Sequence, residues 1–141
     1  MKNTTLCYIE RDGKYLMLRR VKKKNDENHD KWIGVGGHFE EKESPYDCAL
    51  REIREETGIT VTLDTNFRKS VVYSPREYIQ KEVVYFTAIT DTRETTPQPE
   101  EIRRAEWFTF DEAAGQLTHE NDKQILRSAQ KYWKEKTAVG E

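Results

Sequence analysis

Residues 37–59 read GHFEEKESPYDCALREIREETGI, and this stretch restricts the chain more than any other. Ser44-Pro45 predicts an N-cap and a first helical residue, with Asp47 completing a pattern like a capping box. The helix runs to about Thr57 and stops at Gly58. On a helical wheel Tyr46, Ala49, Leu50, Ile53 and Thr57 form a mostly apolar stripe that should face a sheet. Glu52, Glu55 and Glu56 crowd the arc beside it. Like charges at i,i+3 and i,i+4 cost a few tenths of a kcal/mol each. Negative charge near a helix C-terminus costs roughly a further 0.3–1 kcal/mol. Local helix physics opposes this arrangement, so something else must offset it.

Two explanations stand side by side on the helix alone. One is a solvated helix in a charge-rich protein, with Asp47, Arg51 and Glu55 as an i,i+4 ion-pair ladder. The other is a hard divalent cation, because Mg²⁺ takes oxygen ligands and is commonly held by carboxylates together with substrate phosphates. Gly34, Gly36 and Gly37 precede the helix and let the backbone come close to a ligand or ion.

The rest of the chain supplies a sheet for that helix to cover. Strands are predicted over 4–11, 14–20, 66–74, 80–90 and 103–110, with a short strand in 31–37. Asp12-Gly13 marks a hairpin turn, and Pro75-Arg76 a second turn. Thr109 with Glu112 caps a short helix over 110–117, and a last helix runs over about 120–136. Residues 21–30 and 91–101 are polar loops. Strands dominate the first two thirds, one helix lies between them, and helices close the chain. That order suits a mixed sheet with helices on its faces, an α+β arrangement in one domain spanning 1–141.

Charge and cysteine usage exclude several function classes. The chain has 24 Lys+Arg against 26 Asp+Glu, a net charge of -2. That balance gives no general attraction to nucleic acid or membrane. Cys7 and Cys48 have no metal-ligand spacing and are too few to staple a secreted domain, so buried free thiols in a reducing compartment are expected. The N-terminal residues hold no apolar run long enough for a signal peptide or membrane span, and a cytoplasmic protein is expected.

The decisive signal is the spacing across the whole stretch: Gly37, five residues, Glu43, seven residues, Arg51-Glu52-Ile53, one residue, Glu55-Glu56, one residue, Gly58-Ile59. At roughly 5–7% usage per fixed residue, chance gives this on the order of once in a billion starting positions. The pattern G-x5-E-x7-R-E-U-x-E-E-x-G-U, with U apolar, resembles the signature of the Nudix hydrolases, and the order of elements extends the likeness over nearly the whole chain. The resemblance implies an α/β/α sandwich around a mixed sheet. It implies hydrolysis of a nucleoside diphosphate linked to another group, with Mg²⁺ or Mn²⁺. Residue by residue, it implies metal binding by Glu52, Glu55, Glu56 and the Gly36 carbonyl, with Arg51 and Glu43 orienting the site by ion pairing. A carboxylate takes a proton from the attacking water; the resemblance offers Glu55, as a motif glutamate, or Glu101, in the loop before the strand containing Ala105-Glu106-Trp107.

The segments TTLCYIERDGKYLMLRRVK and DKWIGVGG resemble the MutT-like branch, which acts on oxidised purine nucleoside triphosphates such as 8-oxo-dGTP. That likeness places Arg20 and His38 near substrate phosphates and makes Asn121 a reader of the purine edge, an amide being both donor and acceptor. Asn121 also suits a helix N-cap. Three positions depart from the pattern. Ile33 stands where mammalian-type relatives carry a base-reading Asn, His38 where many have Lys, and Lys42 where a loop glycine is common. The alternatives are a Nudix hydrolase for ADP-ribose, a dinucleoside polyphosphate or another conjugate, and a nucleotide-binding module without catalysis. A nucleotide is the partner implied, with no membrane and no stable nucleic-acid complex; the oligomeric state, monomer or homodimer, is open.

Overall fold

Alternation along the strands sorts the core into two halves. Cys7 and Ile9 turn to one face of the sheet and Tyr8 to the other; Leu16 and Leu18 oppose Tyr15 and Met17; Val84, Phe86 and Ala88 oppose Val83 and Tyr85. Strand side chains alternate with period two, so each strand buries residues on both faces. A sheet of this kind must be covered on both sides.

The computed structural model describes residues 2–20, 31–92, 94–96 and 102–140. Its strands are β1 Lys2–Arg11, β2 Lys14–Arg20, β3 Trp32–Ile33, β4 Val35–His38, β5 Thr62–Arg76, β6 Ile79–Ile89 and β7 Ile102–Thr109, and its helices are α1 Pro45–Thr57, α2 Phe110–Gln116 and α3 Glu120–Gly140. The sheet order is β3-β2-β1-β6-β5, with β4 also on β1 and β7 also on β2. β1 and β6 are parallel, from Lys2↔Lys81 to Glu10↔Ile89. The β1/β2, β1/β4, β2/β7 and β5/β6 pairs are antiparallel, so the sheet is mixed. α1 packs Ala49 and Ile53 on the face carrying Leu16, Leu18 and Phe86. α2 and α3 pack Ala113, Leu117 and Leu126 on the face carrying Tyr8, Tyr15 and Tyr85. The result is an α/β/α sandwich.

The predicted punctuation is realised in the turns and caps. Asp12 and Gly13 both have positive φ, 51° and 80°, as a tight hairpin connecting twisted strands requires. Ser44 accepts from the Asp47 N–H, Gly58 closes α1 in the left-handed conformation, and Thr109 with Glu112 forms a reciprocal capping box on α2. Two expectations shift. The β5–β6 turn falls at Glu77-Tyr78 rather than Pro75-Arg76, because β5 is an edge strand whose register slips between Tyr73 and Arg76. Edge strands and irregularities of this kind tolerate a residue without an N–H. The buried arc of α1 is also turned from the predicted stripe: Tyr46 is exposed, while Cys48 and Glu56 are buried.

α3 is tied to the far edge of the sheet by a polar clamp. Asp64 is buried, and its carboxylate accepts from Tyr132 Oη at 2.8 Å, Lys136 Nζ at 2.5 Å and the Asn66 N–H at 3.0 Å. Burial pushes the Asp64 carboxyl up, but these hydrogen bonds outweigh it and hold the group below its ordinary range. Asp64 is the last paired residue before β5 breaks register ahead of Arg68, and the irregularity that follows places the Asn66 N–H on its carboxylate. Asp64→Asn keeps the shape and removes the charge. It is expected to lower the melting temperature by roughly 3–6 °C, read by thermal unfolding, because charge-assisted hydrogen bonds are lost.

Candidate active site

The site grows from the junction of β4 with α1. β4 brings glycines 36 and 37 alongside β1, with Leu6 opposite Gly36 and Thr5 opposite Gly37. A side chain on Gly36 would overlap the Thr5 backbone, and a Cβ on Gly37 would stand 2.5 Å from Glu52 Cδ. Glycine here lets main chain and carboxylate come into direct contact. α1 then presents its acidic arc to that strand.

Arg51 gathers most of the acids. Its Nε and Nη2 fork onto Glu43 at 2.7 and 3.0 Å, Nη2 also donates to the His38 carbonyl at 3.0 Å, and Nη1 reaches Glu52 at 2.8 Å and Glu55 at 3.1 Å. Paired guanidinium–carboxylate bonds of this kind fix geometry as well as charge. The Arg51 guanidinium holds the Glu43 carboxyl down to about 2, against an ordinary 4.5. Burial pushes Glu52 up, with Arg51 pulling the other way. Of the motif glutamates, Glu55 is the one that solvent reaches freely, at 47% side-chain exposure against 13% for Glu52 and 1% for Glu56.

Glu56 is served by a different arginine. Arg20, the last residue of β2, is itself buried and donates Nη1 to Glu56 Oε2 at 3.0 Å and to the Gly36 carbonyl at 3.4 Å. The other oxygen of Glu56 accepts the Gly36 N–H at 3.2 Å. Cys48 lies behind the same loop, with Sγ 3.5 Å from the His38 carbonyl and 3.7 Å from the Gly37 carbonyl. Both cysteines are buried and free, and burial raises the Cys48 thiol to about 11.

Arg20, Gly36 and Glu56 thus form one cluster and Arg51, Glu43, Glu52 and Glu55 a second on the same helix, which His38 enters through its carbonyl with its side chain at the surface. Asn121 lies elsewhere, exposed at the second position of α3 in the other helical layer. Lys123 N–H bonds to the His119 carbonyl, so His119 rather than Asn121 stands at the cap. The next residue, Asp122, is buried and accepts from Tyr85 Oη at 2.5 Å, while its carbonyl accepts from Tyr8 Oη at 3.2 Å, which pins the first turn of α3 under Asn121. Glu101 lies outside the described residues. Lys42 has φ 63°, the left-handed conformation a glycine adopts freely, at the position where the motif commonly has glycine. Ile33 is buried in the sheet opposite Leu18, with no face for a base.

The NUDIX domain family model matches residues 2–129. This chain belongs to the Nudix family. It is 30% identical over 113 residues to diphosphoinositol polyphosphate phosphohydrolase 3-beta of Bos taurus, covering 77% of this chain and 63% of that protein. It is 29% identical over 99 residues to an 8-oxo-(d)GTP phosphatase of Mycolicibacterium smegmatis, covering 70% of this chain and 30% of that protein. The chain therefore spans less than two thirds of the length of these curated relatives. Among solved structures it shares the fold of an Ap4A hydrolase from C. elegans, with a TM-score of 0.80 at 18% identity, covering 94% of this chain and 98% of that one. The donors at this junction, carboxylates and the Gly36 carbonyl, are all oxygen, the donor type a hard divalent cation takes. Among the described residues no three acidic, histidine or cysteine side chains are grouped as a metal site; Arg51 lies on Glu52 and Glu55, and Arg20 on Glu56.

Two outcomes test this geometry. Gly36→Ala is expected to break the β1–β4 pairing and fail to yield stable protein, whereas Gly37→Ala displaces only the flexible end of Glu52 and should melt close to wild type with weakened Mn²⁺ binding by calorimetry. The Glu43 carboxyl has a folded pKa below its unfolded value, so its contribution is present above about pH 4.5 and is lost as pH falls toward 2. Melting temperature should fall between roughly pH 5 and pH 2, and Glu43→Gln should flatten that dependence.

Proposed function

We propose that this chain is a divalent-metal-dependent pyrophosphohydrolase that cleaves a nucleoside triphosphate, 8-oxo-dGTP being the first candidate, to monophosphate and pyrophosphate. The observation that carries the proposal is the acidic end of α1 held against the Gly36–Gly37 backbone, with guanidinium groups on the same carboxylates. A site built from oxygen donors and permanent cations is suited to a polyphosphate.

In this mechanism the Gly36 carbonyl, Glu52, Glu55 and Glu56 would hold Mg²⁺ or Mn²⁺, which would neutralise phosphate charge and acidify water when bound. Water adds to one phosphorus, the anhydride P–O bond breaks, and the pyrophosphate oxygen leaves as an anion. Glu55 takes the proton of the water, since it is the motif carboxylate open to solvent, with Arg51 setting its position. Glu101, from the loop before β7, is the other candidate base. Arg51 and Glu43 orient the acids, and Arg20 and His38 supply positive charge and hydrogen bonds near the phosphates. Asn121 reads the purine edge from a turn of α3 that Asp122, Tyr85 and Tyr8 hold still. The chain acts as a cytoplasmic enzyme.

A second substrate class is favoured by Ile33. Its burial leaves no base-reading side chain at that position, which suits a dinucleoside polyphosphate or another conjugate recognised through its phosphates. Chromatography of the nucleotide products formed with Mg²⁺ from nucleoside triphosphates, 8-oxo-dGTP, ADP-ribose and a dinucleoside tetraphosphate, with and without EDTA, separates the two. The highest kcat/KM on 8-oxo-dGTP supports the first class, and the highest on a conjugate the second. Glu55→Gln and Glu56→Gln should each lower turnover by roughly 10²-fold or more, Glu55→Gln melting close to wild type and Glu56→Gln lower because Arg20 loses its buried counter-charge, and unchanged rates in both would refute the metal and base assignments. Asn121→Ala should erode discrimination among purine nucleotides in KM while leaving metal dependence in place.

A further inference from the structure

Arg20 stands where a cation of a different kind is called for. Its Nη1 acceptors are Glu56 Oε2 at 3.0 Å and the Gly36 carbonyl at 3.4 Å, two of the oxygens that the proposed function gives to the metal. The pair is deeply buried, with side-chain exposures of 8% for Arg20 and 1% for Glu56. A carboxylate this buried requires a compensating charge. We propose that Arg20 is an internal stand-in for the metal, holding the Glu56–Gly36 oxygen pair in the unloaded enzyme and giving it up when a divalent cation binds. The inference rests on the metal assignment above and adds the exchange to it.

Three features support an exchange rather than a fixed ion pair. Nη1 already donates to both oxygens, so a divalent ion taking them as ligands would compete directly with the guanidinium. The backbone of Arg20 is separately anchored, its N–H bonding to the Lys31 carbonyl at 3.3 Å, so the side chain can leave without unravelling β2. Arg20 follows Leu16 and Leu18 onto the α1 face but is the last residue of β2, where the ladder with β7 shifts by one β7 residue, so its side chain stands at a strand end and not inside a regular ladder. Arg51 makes a useful contrast. Its fork is fixed on Glu43 and the His38 carbonyl, neither of which is assigned to the metal, so Arg51 has an anchor that metal loading leaves in place.

The exchange couples two ligands. A divalent ion entering alone must displace a buried guanidinium, which weakens its apparent affinity. A polyphosphate that accepts the released guanidinium offsets that cost. By linkage, metal and polyphosphate then strengthen each other to the same degree. Arg20 thereby acts as a positioning residue that delays full metal loading until an anion is present.

The test measures Mn²⁺ binding by calorimetry and by electron paramagnetic resonance of free Mn²⁺, on the full chain without nucleotide, for wild type, Arg20→Gln and Glu56→Gln. Arg20→Gln should bind Mn²⁺ roughly tenfold more tightly than wild type, and inorganic pyrophosphate should raise Mn²⁺ affinity in wild type far more than in the variant. Equal or weaker binding by a folded Arg20→Gln overturns the exchange while leaving the metal assignment standing, provided Glu56→Gln weakens binding. If Glu56→Gln binds Mn²⁺ as wild type does, the metal assignment fails and the exchange with it. Should Arg20→Gln not fold, the wild type decides the matter through its arginine side-chain ¹⁵N resonances under Mg²⁺ titration. The Arg20 Nε–H signal should shift and exchange faster at saturation with Arg51 little changed, and an unmoved Arg20 signal overturns the proposal.

Discussion

Glu56 lies 1% exposed near the C-terminal end of α1, where burial and the helix dipole both oppose a negative charge. The rest of the site follows from the need to satisfy it. One carboxylate oxygen takes the Gly36 N–H, which fixes α1 against β4; the other takes Arg20, which fixes β2 against both. Gly36 has to be glycine so that β4 can lie flush on β1 while its N–H points at the helix. Arg51 repeats the solution at the surface of the same helix, with Glu43 as its anchor. Helix, strand and loop are therefore assembled by charge pairing in a region where apolar packing alone would leave the helix free to turn.

Much of the fold was legible because its signals are local. Period-two alternation placed the central strands, Asp12-Gly13 and Ser44-Pro45 placed a turn and a cap, and Thr109 with Glu112 placed α2. Pro75 misled as a turn marker because a proline's effect depends on whether its strand is central or at an edge, and that is decided by the distant pairing with β6. The wheel misled at Tyr46 and Glu56 for a related reason: hydrophobicity alone ranks a tyrosine as more burial-prone than a glutamate. The glutamate went inside because β2 carries an arginine to it. Nothing in the spacing from Arg20 to Glu56 announces that contact, whereas Arg51 and its partners lie within a single recognisable motif.

The two faces of the sheet carry different chemistry. The α1 face carries the acids and the guanidinium groups, which any phosphoanhydride can use. The other face carries α3, whose first turn is pinned through the buried Asp122 by Tyr85 and Tyr8. On the proposed reading, selectivity set by Asn121 from the α3 face could change without altering the acids on the α1 face. Lys42 illustrates how tightly the acidic side is fixed, since it accepts a left-handed backbone in order to keep the loop that delivers Glu43 to Arg51.

The parallel pairing of β1 with β6 has a consequence for how the molecule is made. Lys2 opposes Lys81 and Glu10 opposes Ile89, so β1 is synthesised well before its central partner. Until that partner emerges, β1 can pair only with the β2 hairpin and the short β4, and one of its long edges remains open. Closing so long a loop is slow, and contacts of high sequence separation set the pace of folding. The acidic helix belongs to the part of the chain synthesised before β6, so its carboxylates must wait, charged and mutually repelling, while the sheet beneath them is completed. Their arginine partners, both encoded upstream of β6, are available to hold them during that interval.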